Sequence, residues 1–410
     1  MIRMISRADW LDRDRVLAWC GVLLTLEAVL LGVAALWSYG YFPSLGVSSP
    51  TDFVSFYAAG KLAALGTPGL SYVHGAHAAA EAAAIGPGHS YVYFYYPPTF
   101  LLWCMPLALL PLRGAFLVFE AASLGTWLLV AHHILRVRGW SWCVPVLAYP
   151  AVIWTLFLGQ NAFVTAALFG ATSLLLDKKP GVAGIMLGLI CYKPQLALIA
   201  PIALAAGGHW RAFGTAALTV AFCVALSAAL FGADIWNAYL TAFKASGEVY
   251  NGQVTLGTYI TSYGAIRVLG GNAVMGWTIQ AGISIITAAL VAWIWRRNPD
   301  IAVRSAALAA GMLLSAPVAL MYDLTLLMVG MAWLVRLGRN SRFLPWEKLA
   351  LFFCFIVPLV SLFLAQTVHI PLGPLAPAAI LALSLRRTIR RENTIAFSSG
   401  AEPGLKLTNE

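Results

Sequence analysis

An all-α polytopic membrane protein of about twelve transmembrane helices, with short interfacial helices in its first outer loop, is the fold class that three observations predict. The 410 residues are 60% hydrophobic and 10% charged, with a mean hydropathy of +0.80. A soluble domain is roughly 45–50% apolar and about 25% charged. Apolar runs recur along the chain without barrel-type alternation. With twelve spans and both termini cytoplasmic, 21 of the 26 basic residues fall on the cytoplasmic side. Lys61, Arg113, Lys193, Lys244 and Arg267 are left outside, a partition that follows the positive-inside bias. The net charge of +10 is explained by that bias and calls for no nucleic-acid partner.

Residues 16–37 form the first apolar run. It exceeds the roughly 7–15 residues of a signal-peptide core, so it reads as a retained span with its N-terminus inside. The first outer loop, 39–113, follows. It holds a short amphipathic helix over 51–60 headed by Asp52, a second helix near 74–84, and an aromatic run at 91–96. Tyr and Trp favour the membrane–water boundary. Residues 98–111 are apolar but too short to cross, since about 20 residues are needed, and Pro106 interrupts them. They read as interfacial or re-entrant.

Further spans are expected near 114–135, 141–158, 161–177, 180–192, 195–207, 212–231, 272–295, 302–320, 323–337, 348–366 and 372–386. The pair meeting at Lys193-Pro194 competes with a single kinked helix, which would invert the topology beyond it. Residues 233–271 read as a second outer loop. Residues 1–391 form one integral-membrane domain, and 392–410 read as a polar, disordered cytoplasmic tail.

The six cysteines lie in apolar runs without ligand spacing, so neither a disulfide framework nor a zinc site is expected. His74, His77 and His89 lack zinc spacing on one helix face, and the adjacent His132 and His133 point different ways; no metal and no cofactor is expected. Glu27 and Glu120 sit inside spans and are expected to pair within the bundle. No P-loop, dinucleotide fingerprint or nucleophile elbow occurs.

The polar residues at the outer ends of the spans converge on one compartment. Ionisable groups at membrane depth are costly and usually functional. Two readings stand for most of them. Asp52 caps the helix it heads, or accepts a proton from an attacking hydroxyl. Lys193 snorkels to the interface, or holds a phosphate by charge-assisted contacts. Gln160 and Asn161 supply turn chemistry, or hydrogen-bond sugar hydroxyls. Asp323 reads first as the N-cap of the next span.

At these residues the chain resembles family 87 of the glycosyltransferases, with the C-type glycosyltransferase fold. The resemblance runs from Asp52 to Asp323. It rests on Asp52-Phe53 followed by Tyr57, on Tyr96-Pro97-Pro98, on Pro106 and Pro111 with the Leu-rich run between, on Gly159-Gln160-Asn161, and on Gly188 leading to Lys193-Pro194. It implies an inverting hexosyl transfer, mannose-like, from a polyprenyl-phosphate-linked donor to a lipid or glycan acceptor. The reaction would occur at the outer face of the bacterial cytoplasmic membrane. It implies Asp52 as general base, Lys193 and Arg267 at the donor phosphate, and Tyr57, Tyr96, Gln160, Asn161, Tyr322 and Asp323 around sugar and acceptor. Ser315-Ala316-Pro317 departs from a Ser-Pro-His-type motif common in the family. A lipid or solute transporter, and a scaffold without catalysis, are the rival readings.

Overall fold

The computed structural model describes the backbone of residues 2–38, 52–253 and 255–398. Residues 39–51 of the first outer loop and 399–410 of the tail lie outside the described residues. A short α1 (Ile2–Arg7) precedes α2 (Arg13–Ser38). Helix α3 (Phe53–Ala64), a 3-10 turn (Pro68–Tyr72) and α4 (His74–Ile85) follow. Helix α5 (Pro98–Leu107) begins with Pro at its first position, where a missing N–H costs nothing. Its ten residues extend about 15 Å, half a bilayer core. As predicted, it does not reach across.

Helix α6 (Leu112–Leu135) leads to the broken pair α7 (Cys143–Leu147) and α8 (Pro150–Leu158), then α9 (Ala162–Leu175) and α10 (Pro180–Gly188). After two 3-10 turns flanking Lys193 come α11 (Ala200–Ala206) and α12 (Trp210–Phe231). The expected outer loop 233–271 is largely helical instead, holding α13 (Ile235–Gln253) and α14 (Ser262–Val268). The chain ends with α15 (Ala273–Arg297), α16 (Ile301–Ser315), α17 (Leu324–Ser341), α18 (Glu347–Thr367) and α19 (Leu375–Ser398). The last helix thus continues past Arg391, where the sequence suggested disorder. All six cysteines are free thiols.

Among the described residues, six helical segments rather than the expected twelve are long and apolar enough to cross a membrane, within 13–33, 112–135, 210–231, 273–297, 321–341 and 347–367. Six shorter apolar helical segments of 10–17 residues accompany them among the described residues. Helix breaks at Gly159–Asn161, at Lys193 and after Ser315 shorten the segments that the sequence read as full spans. The chain is a multi-pass membrane protein.

Helices α16 and α17 form the centre. Ala302 to Ser315 are all buried, and 83% of the α17 span is enclosed. Small residues allow this close approach, as is usual between membrane helices. A Cβ on Gly330 would already press on Ala306 at 3.2 Å. By contrast, only 11% of α2 and of α12 is buried. Helices apolar all round and this exposed present their sides to lipid.

The bundle has two chemically distinct ends. At one, a single guanidinium nitrogen of Arg304, at the head of α16, donates to both carboxylate oxygens of Asp177 beyond α9, at 2.9 and 3.2 Å, and another meets His209 after α11 at 2.6 Å. Pro180 starts α10 from that same end. The segment 180–207 therefore runs to Lys193 at the opposite end and back again, resolving the kinked-helix alternative in favour of two half-length pieces. Lys193, Asn161 at the head of α9 and Asp323 between α16 and α17 collect at the opposite end.

Candidate active site

The sequence reads α3 as an amphipathic surface helix, but the structure encloses it. Every residue from Phe53 to Ala63 except Lys61 is buried. The 68–72 turn, α4, α5 and α6 all pack against α3. A Cβ on Gly60 would collide with the Cys104 carbonyl of α5, so only glycine permits this approach. Phe53 and Phe56 stack edge-on against Phe116, Tyr96 and Phe100 with centroids 5.0–5.4 Å apart. Such aromatic pairs add directional preference to plain burial.

This packing leaves the Asp52 side chain free of a capping role. Asp52 stands at the N-cap position of α3, yet its side chain makes no cap hydrogen bond. Its Oδ2 accepts from Gln160 Nε2 at 2.6 Å, and Gln160 Oε1 accepts from the Tyr96 hydroxyl at 3.2 Å. The two bonds orient the Gln160 carboxamide. Burial lifts the Asp52 carboxyl above its ordinary range, while the Gln160 bond and the nearby Lys193 charge pull it back. A carboxylate both partly accessible and more basic than usual suits proton acceptance.

Gly159 sets the distance between Gln160 and Asp52. It ends α8 in the left-handed region with φ +66°, and an added Cβ would sit 2.7 Å from the Phe53 Cβ and 3.0 Å from the Phe116 ring. Gly159→Ala is expected to lower stability by about 1–3 kcal/mol, through both φ strain and overpacking. It should also cut turnover by pushing Gln160 from Asp52. A wild-type unfolding midpoint with wild-type turnover would remove this role.

The second half of the site is a buried ion pair that the sequence reading missed. Lys193 Nζ lies 2.8 Å from Asp323 Oδ1, with residue exposures of 2% and 6%. Asp323 Oδ2 accepts from the Leu320 backbone N–H at 3.0 Å. Lys193 also sits 4.9 Å over the Tyr322 ring. Snorkelling is thereby excluded for Lys193, and Asp323 makes no side-chain cap to the helix it precedes. Each of these two deeply placed groups has the other as its counter-ion, the arrangement that burial of charge requires.

Asn161 lies between the two halves. It is fully buried, and neither its Nδ2 nor its Oδ1 has a partner among the described residues. Its backbone carbonyl accepts from the Tyr192 hydroxyl at 3.5 Å, and that hydroxyl also pairs with Thr165 at 2.7 Å. Buried polar groups are nearly always bonded, so a free carboxamide marks a place where a partner is expected.

Two residues grouped with the site by sequence are engaged otherwise. Tyr57 donates to the Leu110 carbonyl at 2.9 Å, fastening α3 to the α5–α6 connection. Arg267 lies against Tyr263 of its own helix, donating to its hydroxyl at 3.1 Å. Glu27 and Glu120 make no ion pair with each other or with a basic group among the described residues, and both oxygens of Glu120 lack a bond.

His77 is a further contributor. Its Nε2 lies 3.1 Å from the Ser55 carbonyl, which can only accept, so Nε2 carries the hydrogen. Nδ1 then accepts from the Tyr91 hydroxyl at 3.1 Å. Burial lowers its pKa to about 4, so it clamps the first turn of α3 as a neutral ring.

The site thus combines a basic carboxylate, an ion pair and an unpartnered carboxamide, all at helix breaks on one end of an apolar bundle. Irregular backbone at such depth is tolerated only where protein or a cavity surrounds it. The model of glycosyltransferase family 87 matches residues 94–321, more than half of the chain. The chain belongs to glycosyltransferase family 87. The matched region of the family includes Tyr96, Gln160, Asn161, Lys193 and Arg267. Asp52 and Tyr57 precede it, and Tyr322 and Asp323 follow it directly. No curated protein and no solved structure matches the chain.

Proposed function

We propose that this glycosyltransferase moves a mannose-like hexose from a polyprenyl-phosphate donor to a hydroxyl of a lipid or glycan acceptor, with inversion, at the outer face of a bacterial cytoplasmic membrane. The observation that carries the proposal is the Asp52 carboxylate, held by Gln160 and near enough to Lys193 to feel its charge. Asp52 takes the proton of the acceptor hydroxyl as that oxygen attacks the anomeric carbon. The bond from that carbon to the phosphate oxygen breaks, and polyprenyl phosphate leaves with its added negative charge.

Lys193 stabilises that charge. An ammonium has three donors, and Asp323 occupies one of them. Stabilising charge where it develops is commonly the largest catalytic effect. The free Asn161 carboxamide, with Gln160 and Tyr96, takes sugar or acceptor hydroxyls on one side, and Tyr322 and Asp323 line the other. A lipid-linked donor fits a site enclosed by apolar helices in a chain without a nucleotide-binding motif.

The test supplies purified protein with polyprenyl-phosphate hexose or with the corresponding nucleotide sugar, together with extracted envelope acceptors. Mass spectrometry should detect product with the lipid-linked donor only, bearing the inverted anomeric configuration. Turnover of the nucleotide sugar would overturn the donor assignment. Flux across sealed vesicles without glycosidic product would favour a transporter.

A further inference from the structure

We infer a second ligand site at the far end of the bundle, which binds the phosphate headgroup of an anionic phospholipid. A cavity of about 590 Å³ opens there between the start of α10 and the start of α12. Lys178, Lys179 and Arg211 line it, with Trp210, Thr215 and Leu218. Helix α9 separates it from Asn161 by 14 residues, about 21 Å at 1.5 Å per residue. It is therefore not an extension of the Asp52 site.

Three features suit the cavity to a lipid phosphate. Its cations are uncompensated: none of the three makes an ion pair among the described residues. The nearest acid in sequence, Asp177, is held by Arg304. Second, its geometry is fixed. Gly184 and Gly188 of α10 lie directly on Ala212, Thr215 and Thr219 of α12, and a Cβ on Gly188 would come within 2.6 Å of Thr219 Cβ. The two helices thus form a rigid seam with the cations at its mouth. Third, the cavity continues onto a face prepared for acyl chains. Trp210 and Leu218 are 64% and 70% exposed, and the exposed Phe222 extends the same helix, which is hardly buried at all.

A soluble phosphate would use the charges but not this wall. Lateral access from the bilayer makes a membrane lipid the occupant. Each cation near a membrane surface contributes about 1 kcal/mol toward anionic lipid, roughly fivefold in affinity.

The experiment uses delipidated full-length protein, titrated with phosphatidylglycerol or phosphatidylcholine and read by native mass spectrometry. Phosphatidylglycerol should bind, and Lys178→Gln/Lys179→Gln/Arg211→Gln should weaken it by about tenfold or more. Phosphatidylcholine should bind no better than phosphatidylglycerol does to that variant. The three side chains are exposed, so the unfolding midpoint should not move. A control with the same charge loss, Arg138→Gln/Arg296→Gln/Arg342→Gln, should retain the lipid. Three results would overturn the site: unchanged lipid affinity in the first variant, equal loss in the control, or displacement of lipid by equimolar inorganic phosphate. The readout needs no glycosyl transfer, so it stands or falls apart from the catalytic assignment.

Discussion

Asp52→Asn should lower turnover by about 10²–10⁴-fold, the usual contribution of a positioned general base, while leaving the fold intact. Asparagine is nearly isosteric and still offers Gln160 a partner, so the Tyr96–Gln160 chain keeps its acceptor. The wild-type pH profile provides an independent check. Asp52 acts as a base only when ionised, so the rate should fall as pH drops through its pKa. Burial places that acid limb above the ordinary carboxylate range. Gln160 donates to the ionised form and so opposes the burial effect. Removing that donor in Gln160→Leu should therefore move the acid limb to higher pH. Undiminished turnover in Asp52→Asn, or an acid limb unmoved in Gln160→Leu, would discard Asp52 as the base.

Breaking the Lys193–Asp323 pair should have the largest effect on stability. Removing one partner of a buried ion pair leaves an uncompensated charge and typically costs about 3–5 kcal/mol. Lys193→Met and Asp323→Leu should each lower the unfolding midpoint sharply. The double variant should recover most of that loss, because it leaves no buried charge behind. Turnover separates structure from chemistry here. If Lys193 stabilises the departing phosphate, the restored double variant should remain slower by about 10²–10³-fold, as when one transition-state donor is removed. A double variant both stable and active would make the pair purely structural.

Legibility in the sequence tracked how local each property is. The polytopic helical class follows from composition and run length. The failure of 98–111 to cross follows from its residue count. The helix break at Lys193-Pro194 is visible as a proline beside a charge in an apolar run, but not whether the chain kinks or reverses there. The polar residues at helix breaks were also visible one by one. Their partners were not. Nothing near Lys193 in sequence announces Asp323, 130 residues away, and nothing near Asp52 announces Gln160, 108 residues away. The cap reading of Asp52 was reasonable from its position, and failed because a distant carboxamide claims the carboxylate. Helix α3 reads as amphipathic through Lys61 alone. Its burial depends on α4, whose own sequence does not say what it covers. His77 offered only a lone histidine, and its clamp on Ser55 emerges once α4 folds over α3.

What the sequence determined by itself is the solvent this chain is built for and the positions where its helices must stop. Apolar run length and prolines act within a few residues, so they survive without a fold. The tertiary structure decided which side chains answer one another. It showed that six segments among the described residues, rather than twelve, have spanning length, and that Asp52 faces Gln160 and Lys193 faces Asp323. Counter-ions and close helix approaches are set by packing between segments a hundred or more residues apart. In an apolar interior, an ionised group stays charged only when such a packed partner is present.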